Sequence, residues 1–225
     1  MLFRLGNVKK NIGYNREGRG FLLDFSPEIN YHKHYINRYA FLFNEYIGNK
    51  YVYLPELSLR HTGQKTFQFD NSHKTIALYL GGENKEFRKY PDEYAVQLLR
   101  LLNRQGYNLL LIGDENDNIK HTQYAEEARI DHLINLTART TIEGFINTIA
   151  NVDLIITIDS SALHIAAVKT PFIALMGLST SPTSTILPKV PLGRILKIEN
   201  NLIREEDYIR NITPDLILKT ISELI

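Results

Sequence analysis

Cysteine is absent from the 225 residues. Its absence excludes disulfides, thiolate metal sites and cysteine nucleophiles, and it is consistent with a reducing cytoplasm. A basic surplus is lacking too, because 26 Lys and Arg residues stand against 25 Asp and Glu residues. Proteins that bind nucleic acid through charge carry such a surplus, so we expect no nucleic-acid partner.

Long apolar runs are also missing. The first ten residues lack the apolar segment of a signal peptide. No apolar stretch reaches the roughly 18 residues that a membrane span needs. The 44% of apolar residues is nevertheless enough for a core and argues against disorder. We expect a soluble, cytoplasmic protein that can still work at the inner face of the cytoplasmic membrane.

The first third of the chain differs in composition from the rest. It is rich in Tyr, Asn, His and Arg, and Tyr35 to Tyr46 has helical spacing. The polar stretch from Thr62 to Lys74 resembles a linker. We place the domain boundary near residue 73.

Beyond that boundary, strand and helix patterns alternate. Such alternation predicts a doubly wound α/β fold with a parallel sheet that is covered on both faces. Pro91 and Pro214 suit first helical turns, Thr213 is a cap and Gly106 is a stop. The predicted strands cover 75–80, 108–112, 134–136, 154–158, 171–176 and 194–198, and the predicted helices cover 91–104, 118–129, 141–151, 160–168 and 213–225.

One strand-to-helix junction carries chemistry that suits an anion. Asp159, Ser160 and Ser161 follow a buried apolar run and open a helix. Hydroxyls and free N–H groups at a helix start suit a diphosphate, His164 can add a donor, and Asp159 can hold sugar hydroxyls. The alternative is ordinary helix capping, with His164 as a packed helix residue. The residues alone do not separate these two interpretations.

The same junction resembles the signature of glycosyltransferase family 9, the ADP-heptose:lipopolysaccharide heptosyltransferases. Residues 158–167 read IDSSALHIAA, Thr170-Pro171 follows, and 174–177 read ALMG. Ser161 stands where the family usually has glycine, which alters the close backbone approach there. Several further motifs fall in the family's order, so the resemblance extends over nearly the whole chain.

The resemblance implies a GT-B fold and a set of site residues. Residues 74–225 would be the Rossmann-like donor-binding domain, and residues 1–73 the end of a partial acceptor-binding domain. Each site residue also has a purely structural explanation: a solvated charged loop, a charge favoured by a helix dipole, or a salt bridge. The implied contacts are Arg88, with Lys89 and Lys85 beside it, for phosphate; Asp117 or Glu115 for ribose; Thr140 beside adenine; Ser179 and Thr180 as hydroxyl donors; and Arg16 and Arg19 for the acceptor.

The resemblance also implies a reaction. It is an inverting, metal-independent transfer of heptose from ADP-heptose, a substrate rather than a cofactor, to the lipopolysaccharide inner core. No acidic residue of the first part matches the family's catalytic aspartate, so we expect that base to lie outside this chain. Two other interpretations stay open: a truncated, non-catalytic nucleotide-sugar-binding module, and another GT-B-like enzyme such as a sugar-nucleotide epimerase. The context of His164 and the Tyr90-Pro91 loop favour the heptosyltransferase. A partial first domain that leaves apolar surface exposed also leads us to expect self-association. Peripheral membrane association is a further expectation.

Overall fold

The computed structural model divides the chain into two compact units. The first unit is Met1–Glu56 with Thr180–Leu187, and the second is Leu57–Ser179 with Pro188–Ile225. The assignment of residues 1–73 and 74–225 to acceptor-binding and donor-binding domains stays a prediction. The structure describes residues 8–31, 33–48, 58–69, 72–81, 88–177, 187–188, 190–198 and 204–225.

The first unit is built around helix α1, Tyr35–Ile47. The helix begins after His34, whose side chain accepts a hydrogen bond from the backbone N–H of Ile36. It ends at Gly48, whose left-handed φ of 65° suits a residue without a Cβ. The helical spacing noted in the sequence is thus confirmed. A short 3-10 turn, Arg19–Leu22, precedes it.

The second unit holds one six-stranded sheet in the order β3-β2-β1-β4-β5-β6. Every neighbouring pair is parallel, which confirms the predicted doubly wound α/β fold. The central strands are buried along their whole length because helices cover both faces of such a sheet. The strands are β1 Thr75–Tyr79, β2 Asn108–Leu111, β3 Leu133–Asn135, β4 Leu154–Ile158, β5 Phe172–Leu175 and β6 Gly193–Leu196.

The helices between the strands bury one apolar face each. In α2 that face carries Leu98, Leu99 and Leu102, at the spacing of one helical side. The predicted helix 160–168 is shorter in the structure, and the predicted helix 213–225 ends at Ile221, because helix ends are weakly encoded. No helix among the described residues is long and apolar enough to cross a membrane. The helices are α2 Asp92–Arg104, α3 Asn118–Ala128, α4 Ile142–Ala150, α5 Ser161–Ala166 and α6 Pro214–Ile221.

The stretch that resembles a linker belongs to the second unit and is hydrogen-bonded to α4. The backbone N–H of Thr62 donates to Asn147 Oδ1 at 3.1 Å, and Asn147 Nδ2 donates to Thr62 Oγ1 at 2.9 Å. Asn147 is buried on α4. Thr62 is therefore held against α4, although residues 58–69 form no regular element.

Candidate functional site

The sheet has its switch point between β1 and β4, where the strand order reverses. Ligands of doubly wound sheets bind in the crevice beyond the carboxyl ends of the strands at such a point. Tyr79 of β1 pairs in register with Thr157 of β4. Leu80-Gly81 on one side and Asp159-Ser160 on the other therefore leave the sheet side by side.

The Ser160 hydroxyl does not cap the helix that it precedes. It lies 3.0 Å from Thr157 Oγ1 and shares a hydrogen bond with it. Ser160 is the N-cap of α5 by position, yet its side chain accepts no hydrogen bond from the helix. Asp159 is half-buried and makes no side-chain hydrogen bond within the described part of the chain. The first N–H groups of α5 are thus left for another acceptor.

Ser161 and His164 lie on the exposed side of α5, one helical turn apart. The opposite side packs through Ala162, Leu163 and Ala166. His164 is the fourth residue of this six-residue helix and is exposed. A ligand role for it stays a prediction.

Asp117 is buried in a notch between two strand-end glycines. Its carboxylate accepts a hydrogen bond from the backbone N–H of Asp114 at 3.2 Å and closes a capping box there. A Cβ added to Gly81 would lie 1.8 Å from Asp117 Oδ1, and one added to Gly113 would lie 2.7 Å from Asp117 Oδ2. Asp117 therefore shapes the loop from inside, whereas Glu115 is exposed.

The loop that carries Arg88 and Lys89 is anchored by Tyr90. The Tyr90 hydroxyl donates to the carbonyl of Ile212 at 2.9 Å, and its backbone N–H donates to Leu80 O at 3.2 Å. Burial, together with Tyr94 and Asp215, raises the pKa of Tyr90 well above its ordinary value, so the phenol stays protonated. Arg88 and Lys89 are half-buried and follow the end of β1. Lys85 lies outside the described residues.

The loop after β3 is held by hydrogen bonds to β2, to the loop after β2 and to α3. Leu136 and Ala138 donate their N–H groups to the carbonyls of Leu111 and Gly113. Thr137 Oγ1 lies 2.7 Å from His121 Nδ1, and both side chains are fully buried. Desolvation lowers the pKa of His121 to about 4, so the ring is neutral at pH 7 even though the Asp114 charge acts to raise that pKa. Thr140, half-buried in the same loop, precedes the cap of α4.

Comparison with known proteins identifies the family. Residues 1–206 match the model of glycosyltransferase family 9 (heptosyltransferase). The chain belongs to glycosyltransferase family 9. It is 30% identical over 163 residues to lipooligosaccharide heptosyltransferase 2 of Haemophilus influenzae, covering 67% of this chain and 47% of that protein. The chain thus spans about half the length of the curated relatives it matches.

Solved structures share the fold of this family 9 chain at low sequence identity. E. coli ADP-heptose LPS heptosyltransferase II superimposes with a TM-score of 0.81 at 21% identity, over 99% of this chain and 72% of that one. E. coli heptosyltransferase WaaC with ADP-2-deoxy-2-fluoro heptose gives a TM-score of 0.61 at 16% identity, over 90% and 60%. The GT-B type Rossmann-like fold predicted for the second unit is therefore confirmed.

The predicted site residues of this family 9 chain fall into three groups. Arg88, Lys89, Glu115, Thr140 and the Asp159–Ser161 junction lie in loops at the carboxyl edge of the sheet. Ser179 and Thr180 lie outside the described residues. Arg16 and Arg19 are exposed in the first unit, where Arg19 pairs with Glu17. Their acceptor role stays a prediction.

Sequence reasoning missed three buried polar residues that shape this edge: Thr157, Thr137 and His121. His121 of α3 and Thr137 of the loop after β3 are brought together only by the fold, whereas Thr157 of β4 bonds to Ser160 three residues further on. The polar character of Thr157 inside an apolar strand was the one local signal. Within the described residues, no group of His, Asp or Glu side chains could hold a metal ion.

Proposed function

We propose that the second unit binds ADP-heptose at the carboxyl edge between β1 and β4, and that the protein transfers heptose to the lipopolysaccharide inner core. The observation that carries the proposal is the uncapped start of α5 beside Asp159 at the switch point. The names of the relatives support the choice of sugar. They include a lipooligosaccharide heptosyltransferase and a heptosyltransferase with an ADP-heptose analogue.

Each residue then has a role in the transfer. Negative charge grows on the diphosphate as the glycosidic bond breaks, and the N–H groups of α5, the Ser160 hydroxyl and Arg88 stabilise it. Asp159 accepts hydrogen bonds from sugar hydroxyls. Glu115 is the carboxylate that reaches the ribose, because Asp117 is 5% exposed and engaged within its own loop. Thr140 borders the adenine. The transfer needs no metal ion and no cofactor.

Calorimetry with ADP and with ADP-heptose tests the donor site. Asp159→Ala should weaken ADP-heptose binding about tenfold and leave ADP binding nearly unchanged, because the lost hydrogen bonds involve the sugar. Asp131→Ala, which removes an exposed carboxylate before β3, is the matched control. A wild-type chain that binds neither ligand near millimolar concentration would rule out the donor site.

A turnover assay with a lipopolysaccharide acceptor separates an enzyme from a binding module. The second candidate is a module that binds the nucleotide sugar without transferring it, because every residue given a role above acts on the donor. Transfer by the wild-type chain that is lost in Asp159→Ala would support the enzyme. Intact ADP-heptose binding without transfer would support the module.

A further inference from the structure

A recess of about 870 Å³ lies at the amino edge of the sheet, where the strands begin. Thr75 begins β1, Asn108 begins β2 and Asp153 directly precedes β4. The three residues lie side by side, because Thr75 pairs in register with Asn108 and its carbonyl accepts the backbone N–H of Asp153 at 3.0 Å. Ligands of doubly wound sheets bind at the opposite edge, so the proposed donor site does not account for this amino-edge recess.

The strand starts supply the recess with side-chain oxygens that lack partners. Asn108 is 1% exposed, and its Nδ2 donates to the carbonyl of His73 at 3.0 Å. Its Oδ1 is buried without a hydrogen-bond partner among the residues that the structure describes. Asp153 accepts the N–H of Thr75 through Oδ2 at 2.8 Å, which leaves Oδ1 as a further acceptor. Because buried polar atoms are nearly always hydrogen-bonded, the Asn108 oxygen calls for a bound molecule that donates a hydrogen bond.

Two phenylalanine rings supply the apolar part of the recess. Phe67 and Phe69 are half-buried, and their ring centroids lie 5.9 Å apart. The segment before them is fixed to α4 by hydrogen bonds. Thr148 Oγ1 donates to the carbonyl of Gly144 at 2.8 Å, so it accepts the hydrogen of Thr66 Oγ1, which lies 2.5 Å away. The two rings are therefore held beside the strand starts before any ligand binds.

The balance of charge in the recess decides which class of ligand it suits. Among the lining residues that the structure describes, Lys65 and Asp153 carry opposite charges, and His73 is the one other titratable side chain. A balanced lining has no net attraction for a strongly charged molecule. Amides and hydroxyls both donate and accept hydrogen bonds, and the faces of aromatic rings attract C–H groups through their negative partial charge. The neutral polar side chains are Thr66, Gln68, Ser72, Thr75, Asn108 and Asn151.

We infer that the amino-edge recess binds a neutral sugar of the hexose class. A sugar ring has C–H groups on its faces, which pack on Phe67 and Phe69, and hydroxyls at its rim, which donate to Asn108 Oδ1 and Asp153 Oδ1. The volume of the recess falls within the roughly 300–1,000 Å³ of ordinary ligand sites. The inference goes beyond the proposed function and does not depend on it, because the donor site lies at the other edge of the sheet.

Heteronuclear NMR of the whole chain tests the recess directly. At least one of the methyl glycosides of glucose, galactose and mannose should shift the side-chain amide signal of Asn108, with an affinity near millimolar. The shift should persist in the presence of excess ADP, and inorganic phosphate, as a charged probe, should not cause it. The proposal is overturned if none of the three glycosides shifts the signal, if phosphate does so instead, or if ADP abolishes the shift. A chain that fails to bind ADP leaves this readout intact, so the two proposals fail separately.

Conservative variants separate contacts with the sugar from effects on the fold. Phe69→Leu keeps an apolar side chain, and Asp153→Asn keeps an oxygen that can accept the N–H of Thr75, so both should fold, as circular dichroism would verify. Each should weaken glycoside binding about threefold, through a lost ring contact or a weaker acceptor. The matched control Phe21→Leu changes a ring of the first unit that is 78% exposed and should leave the affinity unchanged. Wild-type affinity in both recess variants would refute the assignment.

Discussion

Ala138 has a left-handed backbone, with φ at 59°, in the loop after β3. Its N–H donates to the carbonyl of Gly113, and this bond holds it in that conformation. A left-handed angle costs a residue with a Cβ about 1–2 kcal/mol, whereas glycine adopts it freely. Ala138 thus stores backbone strain in the loop that carries Thr140.

Ala138→Gly should stabilise the protein by about 0.5–1 kcal/mol. Relief of the backbone strain contributes about 1–2 kcal/mol. This exceeds the roughly 0.4–1 kcal/mol that glycine costs because it gives the unfolded chain more conformational freedom. Urea unfolding measures the difference. Ala125→Gly is the opposite control, since Ala125 lies inside α3, where glycine should cost about 1 kcal/mol. A destabilised Ala138→Gly would show that the left-handed angle carries no strain.

His121 should make stability depend on pH. Its pKa is about 4 when folded and near the ordinary 6.5 when unfolded, so the unfolded chain binds the extra proton between these values. Above pH 6.5 the neutral ring makes its full contribution to the free energy of unfolding. It is lost as the pH falls toward 4, by an amount on the order of 3 kcal/mol.

Urea unfolding of His121→Asn at pH 7 and pH 4.5 checks this expectation. Asparagine can still bond to Thr137 but does not titrate, so the variant should lose less stability between the two pH values than the wild type. His132→Asn, at an exposed histidine, should keep the wild-type dependence. An equal loss of unfolding free energy from pH 7 to pH 4.5 in all three proteins would contradict the role of His121.

At the scale of elements, the ends of β1 and β2 are coupled through one side chain. Asp117 enters the notch between Gly81 and Gly113, and the notch exists because neither residue has a Cβ. The start of α2 is positioned in a similar way, since Tyr90 joins it to Ile212 before α6. These loops at the carboxyl edge of the sheet therefore share support from buried side chains.

Gly81→Ala should destabilise the protein by about 1–3 kcal/mol and weaken ADP binding. The new Cβ would overlap the Asp117 carboxylate, and the buried capping box would have to open. Asp117→Ala in the same chain should restore part of the loss, which a double-mutant cycle measures. Gly144→Ala, where the nearest heavy atom lies 3.4 Å from the added Cβ, is the control without a steric overlap. Additive effects of the Gly81 and Asp117 changes would contradict the coupling.

At the scale of the whole molecule, the two units differ in how they bury apolar residues. The second unit has a sheet whose central strands are almost inaccessible to water. The first unit depends on α1 and the contacts of the buried Arg38. Local stability follows buried apolar contacts, so the two units should open with different free energies.

Hydrogen exchange should show that the two units differ in local stability. Amides of β1 and β4 should exchange only through global unfolding, and amides of α1 should exchange at least a hundredfold faster in dilute protein. Equal protection of α1 and β4 in dilute protein would show that the first unit is stable by itself.

The sequence by itself determined the elements of this protein and its family. Apolar runs and local caps set β4 at Leu154–Ile158 and the start of α6 at Thr213-Pro214, because those signals act over a few residues. The ordered motifs, carried on those elements, predicted family 9 and the strand-end loops as the donor site.

Only the tertiary structure decided which side chains meet. Tyr79 lies beside Thr157, and His121 bonds to Thr137 on another element. These contacts depend on strand order and on the burial of distant residues. Packing of the whole sheet selects both, and no short stretch of sequence encodes either one.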